Sequence, residues 1–238
     1  MSGKNDHNGE PESMRSMLWK GFGAAVGSVA CVFLLLFLPA GTWDYWQAWV
    51  YVGLFVLYFI LGSAYFLKRS PDLLRRRLRV GPAAEEDFSQ KVIMSISFPA
   101  LLLVFLAPAL DRRYLWSSVP NSLCVIALAC CVAGMLIACW ATTYNRYMAS
   151  TITVETGQPV ISTGPYALVR HPLYSGVGLW FFFTPLALGS WWGMLAALLV
   201  PVMLIFRLTY EERSLRARLP GYAEYCQKVR WRLIPGVF

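Results

Sequence analysis

Histidine is almost missing from this chain: of 238 residues only His7 and His171 carry an imidazole. Cysteine is scattered. Cys31, Cys124, Cys130, Cys131 and Cys139 lie inside apolar runs, Cys226 stands alone in a polar tail, and no two are spaced C-x-x-C. Zinc sites and disulfide frameworks need such ligands grouped at short spacing, so neither a metal cofactor nor a disulfide scaffold is expected. The glycine patterns that cradle phosphates, G-x-G-x-x-G and the Walker loop, do not occur, which excludes a soluble nucleotide-binding domain of either kind. Charge is sparse as well. Only 14% of residues are charged and 57% are hydrophobic, well above the roughly 45–50% apolar content of a soluble domain.

The apolar residues are collected into runs close to the ~20 helical residues needed to cross a ~30 Å hydrocarbon core. Backbone amides in lipid must be satisfied within their own segment, so these runs are read as helices. Spans are expected at 18–38, 45–67, 92–110 and 120–143, followed by a hairpin of two apolar helices, 175–188 and 191–208, turning at Gly189 and Ser190. The first run is too long for the ~7–15-residue apolar region of a cleaved signal peptide. Trp43, Trp46 and Trp49 open the second span as an interfacial aromatic belt. The expected fold is an all-α polytopic bundle of about six hydrophobic helices. Its expected organisation is a disordered polar tail (1–17), a four-helix membrane region (18–143) and a region holding the chemistry (144–238), which ends in a basic amphipathic tail.

The net charge of +8 could suggest nucleic acid. In a chain this apolar it is better explained by orientation in the bilayer, and no nucleic-acid partner is expected. Of 21 Lys and Arg, only Arg112 and Arg113 fall in segments that would lie opposite the amino terminus, which satisfies the positive-inside rule with both termini and the long loop 144–174 in the cytoplasm. Arg75, Arg76, Arg77 and Arg79 in the connector 68–91 are read as holding a loop against anionic headgroups. An inner or plasma membrane is the expected location.

The loop 144–174 breaks the membrane pattern. It is polar and contains Gly157, Pro159, Gly164, Pro165 and Pro172, and long ordered loops in compact proteins usually carry function. It ends in GPYALVRHPLYSG, which places His171 beside Arg170 ahead of an apolar helix; after the hairpin comes RLTYEERSL with Glu211 and Glu212. A hairpin returns to its starting side, so the two groups can meet. Arg207 and Glu211, four apart, share a helix face, while Glu212 is rotated by about 100°. An ordinary Arg–Glu pair at a membrane boundary would look the same and contribute only ~0.3–0.5 kcal/mol. His171 could equally be a hydrogen-bonded cap. Pro172 suits a first helical turn, whose free amides also suit an anion.

The pattern G-x-Y-x-x-x-R-H-P-x-Y-x-G, the hairpin, E-E-x-x-L and the tail PGYAEYCQKVRWRLIP together resemble the isoprenylcysteine carboxyl methyltransferase family, and more distantly the phosphatidylethanolamine methyltransferases. The resemblance is strong over 145–235 and weak before it. It implies a methyltransferase with S-adenosylmethionine held between the loop and the helix ends, and a lipophilic acceptor entering from the lipid bilayer. By position it implies that Gln158, Pro159, Val160, Ile161, Tyr166, His171, Pro172, Leu173, Tyr174 and Glu211 line the cofactor and that Arg207 contacts the acceptor. Gln158 and Pro159 replace a His-Thr pair of the eukaryotic enzymes, and Thr151 stands where they carry glutamine, so the acceptor need not be theirs.

A carboxylate acceptor, as in isoprenylcysteine O-methylation, is already ionised at neutral pH and needs no base. An amine acceptor must lose a proton, and Glu212 or Tyr210 is then the candidate base. A phospholipid amine or a small hydrophobic thiol is the alternative acceptor. A non-catalytic scaffold or transporter is the competing class, but transporters gather ionisable groups near the membrane midplane, whereas here they gather at one face.

Overall fold

In the computed structural model the described residues are 14–69, 88–145, 147 and 157–238. The arginine cluster at 75–79, Thr151 and most of the polar tail lie outside them. The described residues form helices only: α1 (Met14–Ala40), α2 (Trp46–Arg69), α3 (Phe88–Tyr114), α4 (Asn121–Tyr144), a 3₁₀ turn (Gly164–Ala167), α5 (Pro172–Ala187), α6 (Gly193–Ala197), α7 (Leu199–Arg218) and α8 (Tyr222–Lys228). Five stretches are long and apolar enough to cross a membrane: Trp19–Ala40, Trp46–Tyr65, Lys91–Tyr114, Asn121–Tyr144 and Gly193–Arg218. The chain is thus an all-α polytopic bundle. The sixth apolar helix, α5, has 16 residues, or roughly 24 Å of rise, short of a full span.

Element boundaries depart from the sequence expectation in several places, the third span opening at Phe88 and the first arm of the hairpin at Pro172. α1 already begins at Met14 and runs through Pro39 to Ala40 rather than ending before the proline. The third span continues past residue 110 to Tyr114, so Asp111 is helical and not the start of a loop. The second arm of the hairpin is interrupted at Leu198, between α6 and α7, and then extends ten residues beyond 208 to Arg218. That extension keeps Arg207, Glu211 and Glu212 on one continuous helix.

The α4–α5 pair makes the most extensive interhelical contact, because small residues face each other along it. A Cβ on Gly134 would lie 2.6 Å from the Gly176 carbonyl oxygen and from the Trp180 amide nitrogen, and one on Gly176 would lie 2.6 Å from the Ala138 nitrogen. Backbones approach this closely only where side chains are absent, a device common to membrane helices. The apolar core of α1, α2, α4 and α5 continues from this seam through Leu36, Tyr51, Phe55, Cys131, Trp180 and Leu188.

Buried polar groups tie α5 at three heights. Midway, the Trp180 indole donates to Tyr51 Oη at 2.8 Å, and Tyr51 shares a 2.8 Å hydrogen bond with Thr184. Near the hairpin turn, Tyr45 Oη donates to the Leu188 carbonyl at 2.8 Å. Beside it the buried Asp111 carboxylate accepts from the Ser117 amide at 2.8 Å and from the hydroxyls of Ser117 and Ser190. At the other end lies the site described next. Each bond satisfies a group that would be costly to leave unpaired away from water.

Candidate active site

The loop enters the site through a constrained turn. Gly164 has a φ of 60°, a left-handed value that favours glycine, and a Cβ there would run into the Tyr144 ring. The 3₁₀ turn that follows buries Tyr166, whose hydroxyl lies 3.5 Å from the Asn145 amide nitrogen and whose carbonyl accepts from Tyr225 Oη at 2.7 Å. His171 then caps α5 from outside, with Pro172 as its first residue. The amides of Leu173 and Tyr174 fall in the first turn, where no intrahelical acceptor exists.

Arg170 and His171 are held from behind by the carboxy-terminal strap. Their amides donate to the Trp231 and Arg232 carbonyls, each at 2.9 Å. The Arg170 guanidinium donates to the Val229 and Arg230 carbonyls at 2.9 Å and to Glu212 Oε1 at 2.7 Å. Ser175 Oγ reaches the Leu233 carbonyl at 2.6 Å. Arg170 is therefore a buried cation with a carboxylate and two carbonyls around it, the arrangement that makes such burial tolerable.

The two adjacent glutamates face different surroundings. Glu212 is 3% exposed; besides Arg170 it meets His171 Nε2 at 3.2 Å, and its second oxygen lies 3.3 Å from Arg232 Nε. Glu211 instead accepts from Tyr174 Oη at 2.6 Å, and Arg207 Nε donates to the same phenol oxygen at 3.1 Å. Arg207, Tyr174 and Glu211 thus form a bridged row along the face that α5 and α7 present to a cavity.

That cavity brings together nearly all the residues singled out from the sequence: Gln158, Pro159, Val160, Ile161, Tyr166, His171, Leu173, Tyr174, Arg207 and Glu211 line it. Pro172 is buried at the start of α5 but outside the lining, and Glu212 is also outside it, in the ion cluster behind. Tyr210, the other candidate base, does not line it either. The sequence reading did not assign Asn145, Tyr147, Arg170, Leu215, Leu219, Tyr222 and Tyr225, which complete the wall. Pro220 and Gly221 were the available signal: they punctuate the end of α7, and Gly221, at a φ of 82°, turns α8 back so that Leu219, Tyr222 and Tyr225 pack with Val160 and Leu215. Burial pushes the phenols of Tyr222 and Tyr225 well above their ordinary range, the Glu212 charge adding to the effect on Tyr222. Both remain protonated donors at neutral pH. No group of three or more metal-binding side chains occurs among the described residues. A larger groove between α1 and α2, lined by Trp19, Phe22, Val26, Phe33 and Phe59, has no charged lining residue, so it lacks the converging polar groups of a reaction site.

A family model described as phospholipid methyltransferase matches residues 123–219, somewhat under half of the chain. No curated protein matches. The matched segment runs from the start of α4 to the residue after α7 and contains every residue that the sequence assigned to the site. With five helices able to cross a membrane, the match indicates a membrane methyltransferase.

Proposed function

We propose that the chain transfers a methyl group from S-adenosylmethionine to a lipophilic acceptor at the cytoplasmic end of its helix bundle. The observation that carries this reading is the single cavity in which the loop 158–161, the first turn of α5 and the polar row of α7 converge, all inside the matched segment. The residues suit the donor's chemistry: Glu211 offers a carboxylate to an ammonium group, the first turn of α5 offers amides to a carboxylate, and Val160, Ile161, Leu215 and Leu219 offer apolar wall to a nucleoside.

When bound, S-adenosylmethionine supplies an activated methyl on a sulfonium. The chain's contribution is to hold the acceptor in line with it, and fixing two reactants in this way can lower a barrier by about 7–11 kcal/mol. Arg207 carries paired N–H donors able to orient an acceptor carboxylate, which is then methylated without a base. Glu212 we read as a positioning residue. Both of its oxygens are taken by cations, and its place behind the wall holds Arg170 and His171 in register rather than accepting a proton.

A phospholipid amine is the second reading, favoured by the family match. Its proton would pass to the Glu211 carboxylate, which lines the cavity as Glu212 does not. Calorimetric titration of the detergent-purified protein with S-adenosylmethionine tests the cofactor; micromolar to sub-millimolar affinity, about −8 to −5 kcal/mol, is expected, and no binding would favour a scaffold or transporter. Methyl transfer to a prenylated thiol acid, compared with phosphatidylethanolamine in the same micelles, then separates the acceptors.

A further inference from the structure

Among the described residues one buried side-chain polar atom has no hydrogen-bond partner: the hydroxyl oxygen of Tyr222. The residue is 4% exposed and belongs to the cavity wall. Its ring packs at a tilt against that of Tyr225, the centroids 5.7 Å apart, and its burial keeps the hydroxyl from swinging out to water. The Cys226 thiol interacts with it but is a weak partner. Everything around it is satisfied. Tyr225 Oη is bonded to the Tyr166 carbonyl, Tyr174 Oη to Glu211 and Arg207, and the Glu212 oxygens to Arg170, His171 and Arg232. Native proteins rarely leave a buried hydroxyl unsatisfied, and an exception beside a cavity needs a partner that the protein itself does not supply. A phenylalanine at this position would fill the same space without that cost.

We infer that Tyr222 is a ligand-binding residue of the cavity, its hydroxyl donating a hydrogen bond to an acceptor atom of bound S-adenosylmethionine. The inference rests on the cofactor reading above and adds the carboxy-terminal helix α8, which lies beyond the matched segment, to the binding machinery. Because the hydroxyl's partner arrives with the ligand, its removal has opposite consequences for the protein and for the complex. A residue that merely packs would weaken both together.

The test is Tyr222→Phe in the full-length, detergent-purified protein. Calorimetric affinity for S-adenosylmethionine and S-adenosylhomocysteine is measured beside the thermal unfolding midpoint with and without each. Expected are a ligand-free midpoint equal to or above that of wild type, a roughly 2- to 10-fold weaker affinity for both molecules, the range of one neutral hydrogen bond, and a smaller ligand-induced rise in midpoint. Unchanged affinity in a folded variant overturns the inference and leaves the cofactor reading standing. A lowered ligand-free midpoint or loss of folding also overturns it, since the hydroxyl would then be bonded within the protein. Wild type that binds neither molecule overturns the cofactor reading itself, and this inference with it.

Discussion

Exchanging each of the two adjacent glutamates for glutamine should give two different defects. Glu212 sits 3% exposed among Arg170, His171 and Arg232, the nearest contact being 2.7 Å. Removing one partner of a buried ion pair costs about 3–5 kcal/mol when the other charge is abandoned. Glutamine keeps one acceptor oxygen, and Arg170 keeps the Val229 and Arg230 carbonyls, so about 2–3 kcal/mol is expected. At about 2–4 °C per kcal/mol for a chain of this size, the unfolding midpoint falls by about 4–12 °C. Glu211 is half-buried at the cavity wall and bonded chiefly to Tyr174. Its glutamine variant should stay within about 1 kcal/mol of wild-type stability, yet lose a charge-assisted contact to the cofactor worth about 1.5–3 kcal/mol, or roughly 10- to 150-fold in affinity. Thermal unfolding and calorimetry on the same preparations read both quantities. A Glu212→Gln protein with wild-type midpoint and cofactor affinity but no methyl transfer would refute the positioning role and restore Glu212 as a base. Unchanged cofactor affinity in Glu211→Gln would remove Glu211 from the site.

Arg207→Ala should leave S-adenosylmethionine affinity within a few fold while cutting single-turnover methylation of a carboxylate acceptor at least 10- to 150-fold, with lysine rescuing only in part because it lacks the planar pair of donors; full activity would make an amine the better acceptor. Gly134→Ala should destabilise the protein by about 1–3 kcal/mol, since the new Cβ meets the Gly176 and Trp180 backbone at 2.6 Å, and a wild-type unfolding midpoint would show that α4 and α5 can part without cost. Cysteine probes at Gly41 and Ser117 should react with an impermeant reagent outside the cell while one at Gln158 does not, and the reverse pattern would invert the assigned orientation.

Span positions were legible because each run is uniformly apolar over about 20 residues and few other structures tolerate that. That the His171 segment and the two adjacent glutamates come together could be reasoned from the hairpin alone. What the hairpin could not show was direction within a turn: a 100° rotation separates Glu211 from Glu212, but only the packing of the strap against Arg170 decides which of them faces the cavity. The break at Leu198 did have a local signal that the apolar run hides: Pro201 has no N–H for the Ala197 carbonyl four residues back, so one helix ends at Ala197 and the next opens with the proline in its first turn. Asp111 looked like a loop carboxylate because its partner Ser190 becomes a neighbour only when the hairpin folds back onto α3.

The polar groups of this bundle follow from the solvent it is built for. Helices in lipid gain little from apolar contact with one another, since lipid tails are as apolar as leucine, so register along α5 must come from close backbone packing and hydrogen bonds. The Gly134–Gly176 seam sets its distance from α4, the Tyr51–Trp180–Thr184 group sets its height, and the Asp111–Ser190 contact pins the hairpin turn. With α5 so fixed, its first turn cannot shift without breaking bonds elsewhere, and the strap from Val229 to Leu233 meets Arg170, His171 and Ser175 as rigid partners. An in-line methyl transfer needs that rigidity more than it needs acid or base, because its barrier is lowered mainly by holding atoms in place. This is why so much of the buried hydrogen bonding converges on one 16-residue helix whose opening residues line the cavity.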